Sequence, residues 1–457
     1  MKYQLPFGTY GMRGIATAHP FTKEHLKALG MAIELWMNHN NWPQTVLIGS
    51  DTRASSPRIK QDLCAGFSDS LKIFDAQIIP TPGIIGLLKE HPEFGCGIVI
   101  TASHNPAQDN GIKLFLRHGQ EFQPKDQKQI QFFFDSCFDA SPETLPAFAQ
   151  KTTYSNAFNE YFAKIKEYFP PLFLSGLSIG LDCANGATSE YAPLIFEYFG
   201  ARVTTINTSP NGNNINEKCG SNETNDLKNL VISNNLSYGF AFDGDGDRVI
   251  AISDEGKIKN GDDLLFIISS NPNRKRMPVI GTTMSNSNLK KALRSTNQTF
   301  YSSDVGEFEV IKTMEKHKSN LGGEPSGHII LKEYLMCSDG IFAALATLNA
   351  ALITKNQHLS SFTHQQQAQK NIVVPKKIPL ETPELHTIIQ RHLELAGENK
   401  LLIRYSGTES ILRILLEAET IEQAESAIHN LACELTLAIN ELSQERNILE
   451  KQTQANI

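Results

Sequence analysis

The sequence has no apolar run long enough to cross a bilayer, and its first residues, Met1-Lys2-Tyr3-Gln4-Leu5-Pro6, lack the apolar stretch of a secretory leader. It also lacks a basic block. Its 42 Lys and Arg against 49 Asp and Glu give a formal net charge of -7. That balance argues against nucleic acid or an anionic membrane surface as the main partner, so an anionic ligand would need a local site. Cysteines are few and odd in number: Cys64, Cys96, Cys137, Cys183, Cys219, Cys337 and Cys433, with no C-x-x-C pair. A zinc cluster and a disulfide framework are therefore poorly supported, and reduced thiols in a cytoplasm are expected. In that compartment the sequons at Asn207, Asn222 and Asn297 are chance matches. No G-x-x-x-x-G-K-[ST] phosphate loop occurs, and no G-x-S-x-G elbow surrounds Ser103.

What remains is a chain too long for one core. Its 457 residues suggest three or four domains, and 40% hydrophobic with 20% charged residues is the composition of a soluble globular protein. After a Gly-rich start with Arg13, a helix is predicted from Thr22 through Leu26, Leu29, Ile33 and Trp36. A strand follows at Val46–Ile48, a helix over Arg58–Phe74, a strand at Gln77–Ile79, a break at Pro80-Thr81-Pro82-Gly83, a short helix to Lys89 and a strand at Ile98-Val99-Ile100. Such alternation predicts βαβ units and a largely parallel sheet. The pattern restarts with a helix near Asn156–Tyr168 that ends at Pro170-Pro171, followed by a strand at Ser178–Leu181, and again at Val249–Ile252. The Gln-rich stretch Thr363–Lys370 reads as a linker. A smaller α+β domain follows, with a helix at Leu385–Leu395, strands at Leu401–Ile403 and Ile411–Glu417, and a long helix from Ile421. The expected fold is thus three consecutive α/β domains with mixed, largely parallel sheets (1–150, 151–248 and 249–364) and a C-terminal α+β domain (371–446).

Four loops carry the chemistry. Thr101-Ala102-Ser103-His104-Asn105-Pro106 follows a buried-strand run and can present a serine hydroxyl at the carboxyl end of a sheet, where open α/β sheets bind ligands. It continues through Asp109-Asn110-Gly111-Ile112-Lys113, so that His104 and Lys113 are both near Ser103 in sequence. In Asp243-Gly244-Asp245-Gly246-Asp247-Arg248, three carboxylates at alternate positions can converge on a hard cation, Mg²⁺ or Ca²⁺ rather than zinc. An EF-hand does not fit: Arg248 stands at its glycine position, Asp254 at its glutamate, and strands flank the loop. Gly322-Gly323-Glu324-Pro325-Ser326-Gly327-His328 offers an acceptor, a hydroxyl and an imidazole suited to sugar hydroxyls. Arg404-Tyr405-Ser406-Gly407-Thr408-Glu409-Ser410, with Arg413 beyond, has the hydroxyls, backbone N–H groups and guanidinium groups of a phosphate cradle. Each, alone, is also an ordinary polar turn.

Together, in this order and about one per domain, T-A-S-H-N-P, D-G-D-G-D-R, G-G-E-P-S-G-H and R-Y-S-G-T-E resemble the α-D-phosphohexomutase superfamily over nearly the whole chain. Phe7-Gly8-Thr9, Asp182–Ala187, Pro210-Asn211-Gly212, Asn214-Ile215-Asn216, Cys219-Gly220 and Thr283–Asn286 are most similar to its bacterial branch acting on glucosamine phosphates. The resemblance implies four domains around a central cleft, each giving one loop. It implies a phosphoserine at Ser103, one Mg²⁺ held by Ser103, Asp243, Asp245 and Asp247, and Arg248 and Arg13 as neutralising charges. Lys113, His104 and His328 would be the acid–base candidates; Glu324 and Ser326 would read the sugar. Arg404, Ser406, Gly407, Thr408 and Arg413 would hold the distal phosphate. The implied reaction interconverts glucosamine 6-phosphate and glucosamine 1-phosphate through a 1,6-bisphosphate and feeds UDP-N-acetylglucosamine and cell-wall synthesis. The bisphosphate or a kinase would prime Ser103. A small sugar phosphate, no nucleic acid, no membrane and a homodimer are the implied associations. Tyr10, Glu307-Phe308, Pro325 and Ser410 depart from the branch pattern, which leaves a phosphomannomutase/phosphoglucomutase on neutral hexose phosphates as the alternative. A non-catalytic sugar-phosphate binder is more remote, because Ser103 and all three aspartates are present.

Overall fold

The apolar run Ile98-Val99-Ile100 lies in a strand of the computed structural model in which every residue is buried. The structure describes residues 3–8, 11–120, 122–139, 150–397, 400–406 and 410–455. Two units form: one from residues up to Thr282 together with Leu293–Ser361, the other from Thr283–Ala292 and the residues from Phe362 on.

The larger unit begins with a six-stranded sheet of β1 (Gly11–Ile15), β2 (Thr45–Ser50), β3 (Lys72–Ile78), β4 (Cys96–Ile100), β5 (Asp109–Leu116) and β6 (Gln150–Thr153), in the order β1-β5-β4-β2-β3-β6. The strand pairs β4–β2, β2–β3 and β3–β6 are parallel, and β5 is antiparallel to both its neighbours. Helices α1 (Lys23–His39), α2 (Ser56–Cys64), α3 (Thr81–Glu90) and α4 (Pro124–Asp139) cover it. Leu26, Leu29, Ile33 and Trp36 fall on one face of α1 and are all buried. Each aliphatic one contributes roughly 1.5–3 kcal/mol of apolar burial.

Three local expectations are corrected here. The helix predicted over Arg58–Phe74 stops at Cys64, and Ile73 and Phe74 belong to β3. A side chain on Gly66 would collide with the Lys27 carbonyl, so the chain turns there to pass under α1. Pro80–Gly83 is the start of α3, with Pro82 in its first turn, where its missing N–H costs no bond. Asp109–Lys113 is the first half of β5, not a loop: Ile112 pairs with Ile100 and Leu114 with Ile98.

The second sheet holds β7 (Ser178–Asp182), β8 (Arg202–Ile206), β9 (Tyr238–Phe242), β10 (Val249–Ser253) and β11 (Ile258–Lys259), in the order β11-β10-β9-β7-β8. It packs with α5 (Ala157–Lys166), α6 (Thr188–Tyr198) and α7 (Asn225–Ser233) nearby in sequence. Val249–Ile252, expected to open the third unit, instead pairs antiparallel with β9, Phe242 opposite Val249. The carboxylate loop is therefore the turn of a hairpin.

The third sheet, β12 (Val279–Thr282), β13 (Phe300–Ser303), β14 (Leu321–Gly323) and β15 (Ile329–Leu331), has the order β13-β12-β14-β15, with only β14–β15 antiparallel. Its segment carries α8 (Gly261–Ser269), α9 (Ser287–Ser295), α10 (Glu307–His317) and α11 (Gly340–Thr354). The Glu324–His328 loop is the β14–β15 turn. Helix α11 is apolar nearly all round, and accordingly almost all of it is buried.

The smaller unit contains an antiparallel sheet of β16 (Gln366–Val373), β17 (Leu401–Tyr405) and β18 (Ile411–Ala418), with β18 central, plus α12 (Pro383–Ala396) and α13 (Ile421–Ala455). The Gln-rich stretch read as a linker is mostly β16. Ala368 and Ile372 point into the core beside Leu412, Ile414 and Leu416, while polar residues lie between them. All seven cysteines are free thiols. Among the described residues no helix is long and apolar enough to cross a membrane.

Candidate active site

The first two sheets end against each other at Ser103. Its side chain leaves a backbone with φ of 54°, a left-handed value that costs a non-glycine residue about 1–3 kcal/mol and persists only where surroundings hold it. Ser103 is buried, and its Oγ donates to Asp243 Oδ2 at 2.7 Å. His104 Nδ1 is 3.3 Å from the same Oγ.

Asp243, Asp245 and Asp247 are all buried, and one oxygen from each lies within 4.8 Å of the others. The hairpin turn needs its glycines. A side chain on Gly244 would meet the Ser103 carbonyl at 2.6 Å, and Gly246 has φ of 74°. Five of the six carboxylate oxygens have protein partners. Asp243 takes Ser103 Oγ and the Arg248 N–H; Asp245 Oδ2 takes Thr81 Oγ at 2.5 Å and Lys113 Nζ at 2.6 Å; Asp247 takes Lys113 Nζ at 2.8 Å and lies 3.0 Å from His328 Nε2. Asp245 Oδ1 is buried without a partner.

The electrostatics divide the triplet. Burial and then the charges of Asp247 and Asp245 push the Asp243 carboxyl up to about 8. Burial is the largest influence on Asp245 and Asp247 and acts in the same direction, aided on Asp245 by the charge of Asp247. The opposing groups together outweigh it, Lys113 and Thr81 on Asp245 and Lys113, His328 and Arg248 on Asp247, and both end below the usual range. For Lys113, burial alone would lower the pKa, yet Asp245 and Asp247 raise it well above an ordinary lysine. His104 is held down to about 3 by burial and by the charges of Arg248 and Arg13. It is neutral beside the serine.

His328 bridges the carboxylate loop and the β14–β15 turn. Its Nδ1 lies 2.9 Å from Glu324 Oε2 and its Nε2 lies 3.0 Å from Asp247 Oδ1. Burial opposes protonation, but Asp247 and these bonds raise the imidazole to about 10, although Arg248 Nε, 2.9 Å from Nε2, works against it. The other Glu324 oxygen accepts the Gly306 N–H at 2.9 Å, at the start of α10. Glu307, one of the departures from the branch pattern, is buried in that first turn and accepts the Ser338 N–H.

An all-oxygen donor set, an unpartnered buried carboxylate oxygen and a carboxyl pushed to about 8 by burial and by its two acidic neighbours together fit a hard divalent cation. Ser103, His104, Lys113, the three aspartates, Glu324 and His328 are thus in one cluster. Arg13 is exposed on β1 but near enough to act on His104, and Ser326 is exposed on its turn. Arg404, Ser406 and Arg413 belong to the smaller unit. There Arg404 and Arg413 face each other across β17 and β18, and Ser406 is buried, its carbonyl accepting Lys377 Nζ at 2.6 Å. Gly407, Thr408 and Tyr10 lie outside the described residues. Sequence reasoning misses Thr81, whose signal is hidden in a Thr-Pro-Gly run that reads as a break.

Residues 4–137, 156–256 and 260–369 match, in order, the models of α/β/α domains I, II and III of phosphoglucomutase/phosphomannomutase. The phosphoglucosamine mutase of Bacillus cereus strain B4264 is 36% identical over 436 residues, spanning 93% of this chain and 97% of the relative. That of Bacillus anthracis strain CDC 684 shows the same identity and coverage. Among solved structures, a putative phosphomannomutase from Thermus thermophilus superposes with a TM-score of 0.75 at 20% identity, over 94% of this chain and 98% of that one. The N-acetylphosphoglucosamine mutase of Aspergillus fumigatus, in complex with GlcNAc-6P and magnesium, gives 0.63 at 15% identity, over 96% of both chains. At these identities the two structures speak for the fold. The three consecutive domain matches, and relatives 36% identical along almost their entire length, place the chain in its family: it belongs to the phosphoglucosamine mutase branch of the α-D-phosphohexomutases.

Proposed function

We propose that the protein is a phosphoglucosamine mutase, moving a phosphoryl group between O6 and O1 of glucosamine through phosphorylated Ser103. The observation that carries this reading is the Ser103 Oγ, held 2.7 Å from Asp243 at the edge of a buried carboxylate triplet. Mg²⁺ is the cation assigned to Asp243, Asp245, Asp247 and the serine; when bound it would offset their charge and that of the phosphoryl group and make the phosphorus more electrophilic.

In the first half-reaction a free sugar hydroxyl attacks the phosphorus of phosphoserine. The P–Oγ bond breaks as the new O–P bond forms, the sugar oxygen loses its proton and Ser103 ends as a hydroxyl. The resulting 1,6-bisphosphate turns around. In the second half-reaction Ser103 Oγ attacks the other phosphoryl group of the bisphosphate, that sugar O–P bond breaks, and the sugar oxygen leaves as a hydroxyl as Oγ gives up its proton. His104, next to Oγ, and Lys113 and His328, both bonded to the carboxylate loop, are assigned to carry these protons. Arg248 and Arg13 add positive charge near His104. Glu324 and Ser326 are assigned to the sugar hydroxyls, and Arg404, Ser406, Gly407, Thr408 and Arg413 to the phosphate that is not reacting.

The four-domain division belongs to this reading, with the second domain extended through β11; one sheet in each span supports it. So does a cytoplasmic location, supported by the seven free thiols. A catalytic 1,6-bisphosphate, or a kinase, would load Ser103 at the start. Turnover on glucosamine, glucose and mannose 6-phosphates tests the reading. A clear preference for glucosamine 6-phosphate is expected, and a preference for glucose or mannose would overturn the substrate assignment.

A further inference from the structure

Two polar motifs have no part in the chemistry above: Asp51-Thr52-Arg53, after β2, and the Asn-rich loop Pro210–Asn216, after β8. The structure brings both to the back of the serine loop.

Arg53 has a side chain with 0% exposure. A guanidinium carries five N–H donors in a fixed planar fork. Here all five are directed at acceptors. Nε donates to Asp51 Oδ2 at 2.9 Å; Nη1 donates to the carbonyls of Pro106 and of Asp109, the latter at 2.9 Å; Nη2 donates to the carbonyls of Ser103 at 2.9 Å and Asn105 at 2.7 Å. Four of the five acceptors are therefore backbone carbonyls between Ser103 and Asp109, three on the loop that carries Ser103 and one at the start of β5. Asp51 closes the frame from the other side. Its Oδ2 accepts Thr101 Oγ at 2.6 Å, and that hydroxyl accepts the Ser103 N–H at 2.8 Å.

The second motif arrives from the other sheet. Asn216 Nδ2 donates to the Ser103 carbonyl at 2.8 Å and to the Asn105 carbonyl at 3.0 Å. These are the same two carbonyls that Arg53 Nη2 grips. The loops also join to each other: the N–H of Ala54, next to Arg53, donates to the Gly212 carbonyl at 2.8 Å, and Thr52 Oγ donates at 2.5 Å to the carbonyl of Asn185, whose own Nδ2 donates to the Asn214 carbonyl at 3.3 Å. Ser103 is thus held by its own N–H and its own carbonyl at a φ of 54° that a free serine would leave.

We propose that Arg53 and Asn216 are positioning residues for phosphoryl transfer, a two-sided clamp that fixes Ser103 in its left-handed conformation so that Oγ stays aimed at the carboxylate triplet. This rests on the phosphoserine reading. Neither side chain is assigned a substrate contact; they act on the reacting oxygen only through the Ser103 backbone. Phosphoryl transfer depends on near in-line placement, where a misplacement of about 1 Å costs roughly 100-fold. The clamp should therefore govern kcat and the loading of Ser103, not KM.

Asn216 itself has φ of 57°, so Asn216→Gly removes the amide without straining the backbone. Asn216→Asp keeps the shape but turns an acceptor toward two carbonyls. Arg53→Lys keeps the charge but cannot span five acceptors. The experiment times phosphate uptake on Ser103 from glucose 1,6-bisphosphate by intact mass, with steady-state kcat and KM and a melting curve for each variant. We expect Asn216→Gly to load and turn over about 10- to 100-fold more slowly, with KM within about threefold and an unchanged melting temperature. Asn216→Asp should be slower still. Arg53→Lys should raise hydrogen exchange at the Ala102–Asn105 amides. If the wild-type chain takes up no phosphate on Ser103, the phosphoserine reading falls and the clamp with it. If the wild type loads and Asn216→Gly loads equally fast, or its loss lies in KM alone, the clamp is refuted while the phosphoserine stands.

Discussion

The carboxylate centre of the larger unit and the β17–β18 hairpin of the smaller one are both built from charged residues, and they treat charge in opposite ways. Around Ser103, three carboxylates, a lysine and a histidine are buried, and Asp245, Asp247, Lys113 and His328 each meet an opposite charge within about 3 Å, while Asp243 is held by neutral donors. On the hairpin, Arg404 and Arg413 face each other on adjacent strands, half-buried and exposed respectively. Like charges directly opposite each other on adjacent strands raise the local positive potential, which suits the phosphate contact proposed above. Buried charge is worth more per contact because the surroundings screen it less, and it stays in place whether or not substrate is bound. Accessible charge stays hydrated until a ligand displaces the water. The first arrangement suits a transition state; the second suits binding that must be made and released as the sugar turns over.

If that contrast is right, changes in the buried centre should fall on kcat and changes in the hairpin on KM. The largest effect is expected from Ser103→Gly, which removes the nucleophile and relaxes the positive φ. Turnover should drop roughly 10⁴-fold or more with the fold intact, as for other removed nucleophiles. Wild-type-like rates would end the phosphoserine assignment. Lys113→Met should follow, with kcat about 100- to 10,000-fold lower. It breaks bonds to two aspartates at once, so metal dependence should shift as well. Asp245→Asn, which alters the one unpartnered buried oxygen of the triplet, should raise the Mg²⁺ concentration for half-maximal rate by about tenfold or more, and an unchanged titration would argue against a cation there. Arg413→Ala should raise KM about tenfold, equivalent to about 1.4 kcal/mol, and leave kcat nearly intact. A kcat effect at Arg413 would erase the contrast between the two regions.

The serine, carboxylate and sugar loops are legible in the sequence because each is contiguous and each follows or joins strands whose apolar runs are plain. What is illegible comes from pairing across distance. Thr81 reaches Asp245 from 164 positions away, and Asn216 reaches Ser103 from 113. Nothing local marks a threonine before a proline, or one asparagine among several, as part of a site. Strand identity fails for a related reason. Val249–Ile252 reads as the opening of a new unit because an apolar run does not show which strand it pairs with; it pairs back on β9, and the carboxylate loop is a tight hairpin turn. The glutamines of β16 mask a strand because only Ala368 and Ile372 carry its apolar face, with three polar residues between them. Periodicity detects a face with several apolar positions and misses one with two.

A stability measurement, not a rate, probes buried charge where neutral donors hold it. Asp339 caps α11, is buried, accepts the Phe342 N–H at 3.0 Å and takes the Tyr161 hydroxyl at 3.0 Å. The groups facing it are the N–H groups of Phe342 and Ile341 and the hydroxyls of Tyr161 and Tyr334, all neutral. Burial wins over them and pushes the carboxyl up to about 6. Because the folded pKa is above the unfolded one, the native state holds the proton more tightly. Its stabilising contribution is complete below about pH 4 and is lost as pH rises through about 6, a change of about 2–3 kcal/mol. Asn at this position still caps a helix and has no proton to lose in that range. The melting temperature of Asp339→Asn should therefore gain on the wild type between pH 4 and pH 7, by several degrees at most. Parallel curves would mean that neutral donors hold this carboxylate as firmly as Lys113 holds Asp245. Burial with opposite charge would then have no special standing at the serine centre either.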